Sequence, residues 1–262
     1  MADYGGEATG YGTPTRPHLV HRLDLSTRTW ETKQAPQIAW KIEAVSGTRV
    51  LLQEHDQWVD MTLNDFGELP SDPMKELARA GSDYYGDSEY DFRTGRVYHG
   101  STGSSSQAIQ VLRVNGDALT WAGGTGVYGT AQGGGPTSVL SADGRYFFYG
   151  RLQFDAVSLT KLRTTTETIY ASAGNVSLGS GSFYNALTDR RLGSLPFPST
   201  VYAMSDDGQD VWAYDAGRTM LHHYRTPGAI PGVLANDSDA DGDPLTTCLL
   251  YTSDAADEED SV

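Results

Sequence analysis

The sequence predicts an all-β fold, and three observations predict it. Of 262 residues, 30 are Gly and 15 are Tyr, while Lys and Glu, strong helix formers, are sparse. Gly, Ser, Thr and Tyr suit short strands joined by tight turns. A Gly-centred turn also recurs along the chain, each time between a short strand-like run and an apolar, often aromatic one. A second, small polar turn recurs between those hairpins.

The first turn reads Ser46-Gly47-Thr48-Arg49, then Thr94-Gly95-Arg96, Asp143-Gly144-Arg145 and Asp207-Gly208-Gln209. The preceding runs are 39–45, 88–92, 137–141 and 200–204, and the following ones 50–53, 97–99, 146–149 and 211–214. Gly after Ser, Thr or Asp supplies the positive φ of a tight turn, so each unit reads as a β-hairpin. The glycines stand 48, 49 and 64 residues apart. A repeat in the forties points to propeller blades of four strands each. The long third gap hides a further short blade, turning at Ala173-Gly174-Asn175. The second turn type lies within 21–27, 111–117, 154–159, 186–189 and 214–217, and marks outer hairpins.

The expected fold is therefore a β-propeller of about six partial or whole blades, incomplete or partly closed, with a short disordered C-terminal extension. The expected division is a flexible segment over 1–15, propeller repeats over 16–226, a linker and truncated module over 227–247, and a non-native tail over 248–262. The first unit is expected to begin with its outer strands, 18–25 and 29–32, and the last, 200–225, to lack its fourth strand. Closure of a propeller normally protects strand edges.

Pro198-Ser199-Thr200-Val201-Tyr202-Ala203-Met204-Ser205-Asp206-Asp207-Gly208 resembles the inner hairpin of bacterial YVTN-type propeller repeats, in which an apolar strand runs into Ser-x-Asp-Gly. Thr137 to Gly144 follows the same pattern, and the other units match it loosely. The resemblance covers roughly residues 16–226.

A formal charge of −15 is concentrated at one end: nine of the 34 acidic residues lie between Asp237 and Asp260, and no Lys or Arg follows Arg225. No basic stripe exists, which argues against nucleic-acid binding. An acidic surface disfavours anionic membranes, and no stretch is long and apolar enough to insert in one. A single cysteine, Cys248, excludes an intrachain disulfide. Residues 1–15 contain no apolar signal-peptide core, so an export signal is expected upstream.

After a Pro-containing hinge at 226–231, Gly232 to Thr246 closely resembles the opening of the cadherin-like, immunoglobulin-type repeats strung along large bacterial surface proteins. That resemblance implies extracellular location, neighbouring modules of the same kind and frequent calcium dependence. The residues agree with it. Asp237, Asp239 and Asp241 alternate, Gly242 permits a sharp turn, and Asp243 follows. Such clustered carboxylates repel one another unless a hard cation such as Ca²⁺ neutralises them. Four aspartates do not fill a calcium shell alone, and the alternative is a solvated acidic linker.

The histidines His18, His21, His55, His99, His222 and His223 form no spaced metal motif, and His222 and His223 would point to opposite faces of a strand. Serines are numerous, at Ser101 and Ser104–Ser106 among others, but no G-x-S-x-G elbow occurs. Gly133-Gly134-Gly135 opens no helix and reads as a blade-to-blade loop. Asp83, Asp87, Glu89 and Asp91 stand beside Tyr84, Tyr85 and Tyr90. Such a group can bind sugars, but it reads best as an exposed loop. Cys248 to Glu258 resembles the translated sequence of an adapter used in preparing DNA libraries. The native sequence is therefore expected to stop near Thr247.

The expected function is a non-enzymatic binding or adhesion platform, for protein or glycan, in a secreted or cell-surface bacterial protein. The competing expectation is a propeller enzyme such as a lactonase or metal-dependent hydrolase. Inward-facing carboxylates, His or Asn at one channel mouth would favour the enzyme. Apolar or scattered polar lining would favour the platform.

Overall fold

The computed structural model describes residues 2–3, 18–36, 39–54, 60–81, 86–101, 108–127 and 137–226. Among these there are no helices, and the strands form six antiparallel meanders. Blade 1 holds β1 (Ala2–Asp3), β2 (Leu19–Asp24) and β3 (Thr29–Gln34). Blade 2 holds β4 (Ala39–Ser46), β5 (Arg49–Glu54), β6 (Asp60–Asp65) and β7 (Lys75–Gly81). Blade 3 holds β8 (Gly86–Asp91), β9 (Arg96–Ser101), β10 (Ala108–Asn115) and β11 (Ala118–Gly126). Blade 4 holds β12 (Ser138–Leu140), β13 (Tyr146–Tyr149), β14 (Leu152–Asp155) and β15 (Lys161–Thr164). Blade 5 holds β16 (Ala171–Ala173), β17 (Val176–Leu178), β18 (Ser182–Asn185) and β19 (Arg191–Ser194). Blade 6 holds β20 (Tyr202–Met204), β21 (Asp210–Asp215) and β22 (Met220–Arg225).

The first strands neighbour one another in sequence order, β1 beside β4, then β8, β12, β16 and β20. They form the inner row of a propeller, with each blade extending outward from it. This corrects the expectation for the first unit. β2 and β3 are its second and third strands, and the innermost place belongs to β1. The hidden blade is a full four-stranded sheet. Blades 4 and 5 are compact because their strands have only three or four residues, against up to nine in blade 3. Gly144, Gly174 and Gly208 therefore follow one another at 30 and 34 residues.

Two turn designs build most hairpins. In the Ser-x-Asp-Gly turns, Ser141 Oγ donates to Asp143 Oδ1 (2.7 Å) and accepts from Tyr146 N (2.9 Å). Ser205 Oγ does the same with Asp207 Oδ1 (2.6 Å) and Asp210 N (2.9 Å). In the second design an Asp or Asn closes a four-residue loop by accepting backbone N–H groups two and three residues on. Asp24, Asp155, Asn185 and Asp215 all do this, at 2.8–3.2 Å. Each loop ends in a left-handed residue, respectively Arg28, Leu159, Asp189 and Thr219. The Ser26 hydroxyl and the Thr27 and Ser26 amides hold Asp24 down at about 2. The loop after β8 belongs to this second design, with Asp91 as acceptor for Arg93 N (3.1 Å) and Gly95 as the left-handed residue. Grouping Thr94-Gly95 with the first design was a misreading caused by its glycine.

Apolar seams join consecutive blades. Val20 and Ala35 meet Leu52, Phe66 and Met74 between blades 1 and 2. Leu51, Met61 and Leu63 meet Val97, Leu112 and Leu119 between blades 2 and 3. β13 shows why the sequence stacks this way. Its Tyr-Phe-Phe-Tyr run is buried on both faces. Phe147 and Tyr149 face blade 3, where Tyr98 stacks on Phe147 at 5.2 Å. Tyr146 and Phe148 face blade 5 and meet Ile169 and Ala186. Burying each large aromatic contributes roughly 2–3 kcal/mol. Ala171, Val176 and Phe183 meet Val211 and Ala213 between blades 5 and 6.

Candidate functional site

The inner row gathers charge at one end. β4 places Lys41 and Glu43 on one side, two residues apart, and β8 does the same with Asp87 and Glu89. Between the latter two, Ser88 turns the other way, into the blade 2–3 seam. Its hydroxyl donates to Gln53 Oε1 (2.6 Å), and His99 Nδ1 lies 3.2 Å from it. Asp87 faces blade 4, where its Oδ2 accepts Ser138 N of β12 at 3.2 Å.

Among the described residues β8 pairs with β9 only, which leaves its other edge without a ladder there. Lys41 crosses that edge. Its ammonium donates to the Ser88 carbonyl, to Asp87 Oδ1 (2.8 Å) and to Glu89 Oε1 (2.8 Å), and it lies 3.3 Å from Glu43 Oε1. Three carboxylates thus share one ammonium, with 25–30 % of each side chain exposed. Burial opposes the charge on Lys41, but the attraction of Glu89, Asp87 and Glu43 outweighs it and raises its pKa. Burial pushes Glu89 up to about 7, with repulsion from Glu43 and Asp87 adding to it against the pull of Lys41. Burial likewise raises Glu43.

The sequence alone places Asp87 and Glu89 in an exposed acidic loop. They stand instead in an inner strand, and Asp91 caps the turn that follows it. Asp83, Tyr84 and Tyr85 lie outside the described residues. Lys41 and Glu43 carried no sequence signal, because only the packing of β4 beside β8 brings them to Asp87.

The Ser88–His99 contact has the makings of a nucleophile and base, but the two side chains are about 1 % and 0 % exposed. With the Ser88 proton donated to Gln53, the pair serves the seam between blades. His222 and His223 do face opposite ways. His222 packs on Phe197 at 4.9 Å, and His223 stacks on Trp212 at 5.1 Å and bonds Asp210 at 2.7 Å. His55, Ser104–Ser106, Gly133–Gly135, the aspartates Asp237, Asp239, Asp241 and Asp243, and the segment Cys248–Glu258 lie outside the described residues. Among the described residues, no group of three His, Cys, Asp or Glu is arranged to hold a metal ion.

A cleft of about 440 Å³ lies at the other end of blades 2 and 3, beside Val45, Tyr90 and Val114. The Arg49–Asp117 ion pair, at 2.6 Å, ties its rim together. A second cleft, of about 420 Å³, lies among Lys33, Pro70, Asp72 and Met74. Neither includes Lys41 or its carboxylates.

No protein-family model matches the chain, and no curated protein matches it. Solved structures do. A protein from Lactobacillus plantarum shares 14 % identity over 85 % of this chain and 80 % of its own, with a TM-score of 0.53. A Bacteroides uniformis protein provisionally assigned as a 6-phosphogluconolactonase shares 13 % identity over 82 % of this chain and 75 % of its own, also at 0.53. TolB from Acinetobacter baumannii shares 12 % identity at 0.49 over 81 % of this chain, which spans 58 % of the TolB length. These likenesses concern the fold alone. Six meandering sheets set around a row of first strands make this chain a β-propeller.

Proposed function

We propose that this chain is a non-enzymatic binding module of a secreted or cell-surface bacterial repeat protein, and that its channel end takes a cationic group of a protein ligand. The observation carrying this reading is the surplus of negative charge at Glu43, Asp87 and Glu89. Above about pH 7, where Glu89 is ionised, Lys41 offsets one of the three charges, and a ligand ammonium or guanidinium would offset another. The matching turns at Ser141 and Ser205 support the finer reading of YVTN-type repeats. The expected result is that a Lys/Arg-rich peptide binds at low ionic strength, and that Asp87→Asn weakens binding several-fold. Binding of neutral or acidic glycans, with no affinity for the basic peptide, would overturn it.

A second reading is a propeller hydrolase. Its support is the carboxylate cluster on the inner strands together with Glu89, raised to about 7, where a carboxyl can act as general acid or base. The lactonase-like neighbour suggests lactone substrates for the assay. Lactone hydrolysis that disappears in Glu89→Gln would favour this reading over the first.

For Asp237, Asp239, Asp241 and Asp243, calcium binding is proposed only where a following cadherin-like module completes the shell. Calorimetry on a longer chain that shows no calcium uptake would end that proposal.

A further inference from the structure

A second site stands at the opposite end of the blade 2–3 seam from Lys41. There the turn between β4 and β5 and the turn between β10 and β11 lie side by side, and a cleft of about 440 Å³ opens between them. That volume falls in the range of small-molecule sites. Its floor is apolar, because Val45, Tyr90 and Val114 pack on the buried core of the seam and also line the cleft. Its rim is polar. Arg49 Nε and Nη2 reach from blade 2 to Asp117 Oδ1 of blade 3, at 3.0 and 2.6 Å. Gly47 and Gly116 turn the two hairpins at φ 56° and 59°, and a Cβ at either would meet no atom of the described residues within 4 Å, which keeps the mouth wide.

Both Arg49 bonds fall on one carboxylate oxygen. Among the described residues, Asp117 Oδ2 and the Tyr90 hydroxyl have no hydrogen-bond partner, and Arg49 Nη2 has a second N–H to donate. A donor and an acceptor thus stand side by side, next to an aromatic ring. A sugar matches that set, since hydroxyls on adjacent carbons give and accept one hydrogen bond each while the C–H face packs on a ring. Charge narrows the choice further. An anion would have to draw Arg49 away from Asp117, and Asp65 and Glu68 also act on that guanidinium. A cation finds Asp117 already offset by Arg49. We infer that this cleft binds a neutral sugar, with Tyr90 under its ring and the Arg49–Asp117 pair on two neighbouring hydroxyls. The ion pair stays intact, so binding leaves no charge unpaired. This site is separate from the carboxylates around Lys41, and it takes a different ligand.

Saturation-transfer NMR on the full chain, with a panel of neutral pentoses, hexoses and N-acetylhexosamines at millimolar concentration, is expected to show transfer to at least one sugar. Tyr90→Leu and Asp117→Ala should each weaken the binding of that sugar about fivefold or more. Trp30→Ala, which removes an exposed aromatic of blade 1, should leave it unchanged. Ser46→Trp fills the cleft from an exposed turn and serves as a second variant should Tyr90→Leu lose its native circular dichroism. Absence of transfer to every sugar of the panel would overturn the inference. So would binding that survives all three cleft substitutions in folded chains, or uptake of sulfate or of lysine amide at this cleft in place of sugar.

Discussion

Lys41 Nζ and Glu89 Oε1 lie 2.8 Å apart across the inner edge of β8. This contact joins the inner strands of blades 2 and 3 by side chains rather than by backbone ladder. Removing either partner alters a cluster in which charge is already unbalanced.

Lys41→Met leaves Glu43, Asp87 and Glu89 facing one another without a cation. Breaking a buried pair costs about 3–5 kcal/mol, and the partial exposure here reduces that to about 2 kcal/mol. The loss should be larger at pH 8 than at pH 6, since without the pull of Lys41 the carboxyl of Glu89 is raised further and the variant loses more stability as pH rises. Urea denaturation at the two pH values measures it.

Glu89 is raised in the folded chain from 4.5 to about 7. Between those values the folded state binds more protons than the unfolded one, so this group lowers stability as pH rises through the window. Glu89→Gln should flatten the melting temperature of the protein between pH 5 and 8. A wild-type and a variant profile of the same slope would refute the assignment.

Ser141→Ala should cost more than Ser205→Ala. Both remove the bond from Oγ to a backbone N–H, but the Tyr146 amide left behind is buried, whereas the Ser205 turn is partly exposed. An unsatisfied buried donor costs about 1–3 kcal/mol, against about 1 kcal/mol or less at the exposed turn. Thermal melts of the two variants compare them directly.

Gly47→Ala and Gly208→Ala both force a side chain into positive φ, at 56° and 73°. A Cβ at Gly47 meets open space, so the expected loss is about 1 kcal/mol. A Cβ at Gly208 would stand 2.6 Å from the Ala173 carbonyl oxygen of blade 5, so the loss should reach roughly 3 kcal/mol. Equal losses in denaturant titrations would show that the blade 5–6 contact yields freely.

The turns were legible because their chemistry is local. Ser141, Asp143 and Gly144 bond within six residues of one another, as do Ser205, Asp207 and Gly208. Gly174, seen as the turn of a hidden blade, does close the β16–β17 hairpin. The polar loops after Asp24, Asp155, Asn185 and Asp215 were equally readable, for the same reason. The turn after Asp91 was misassigned because its left-handed position holds Gly, and Gly alone does not say which kind of loop it closes.

The candidate site was only half legible. Asp87 and Glu89 stood out as acidic residues near tyrosines, which suits a loop as well as a strand. Nothing local relates them to Lys41, 46 and 48 residues earlier. The sequence by itself determined that this chain is all-β, made of short hairpins, and divided into about six units, since hairpin turns and strand alternation are written over a few residues. Only the tertiary structure decided which strands stand innermost, which faces are covered and which charges meet. Those follow from blade-to-blade packing, and the energy of that packing resides in contacts between residues far apart in the chain.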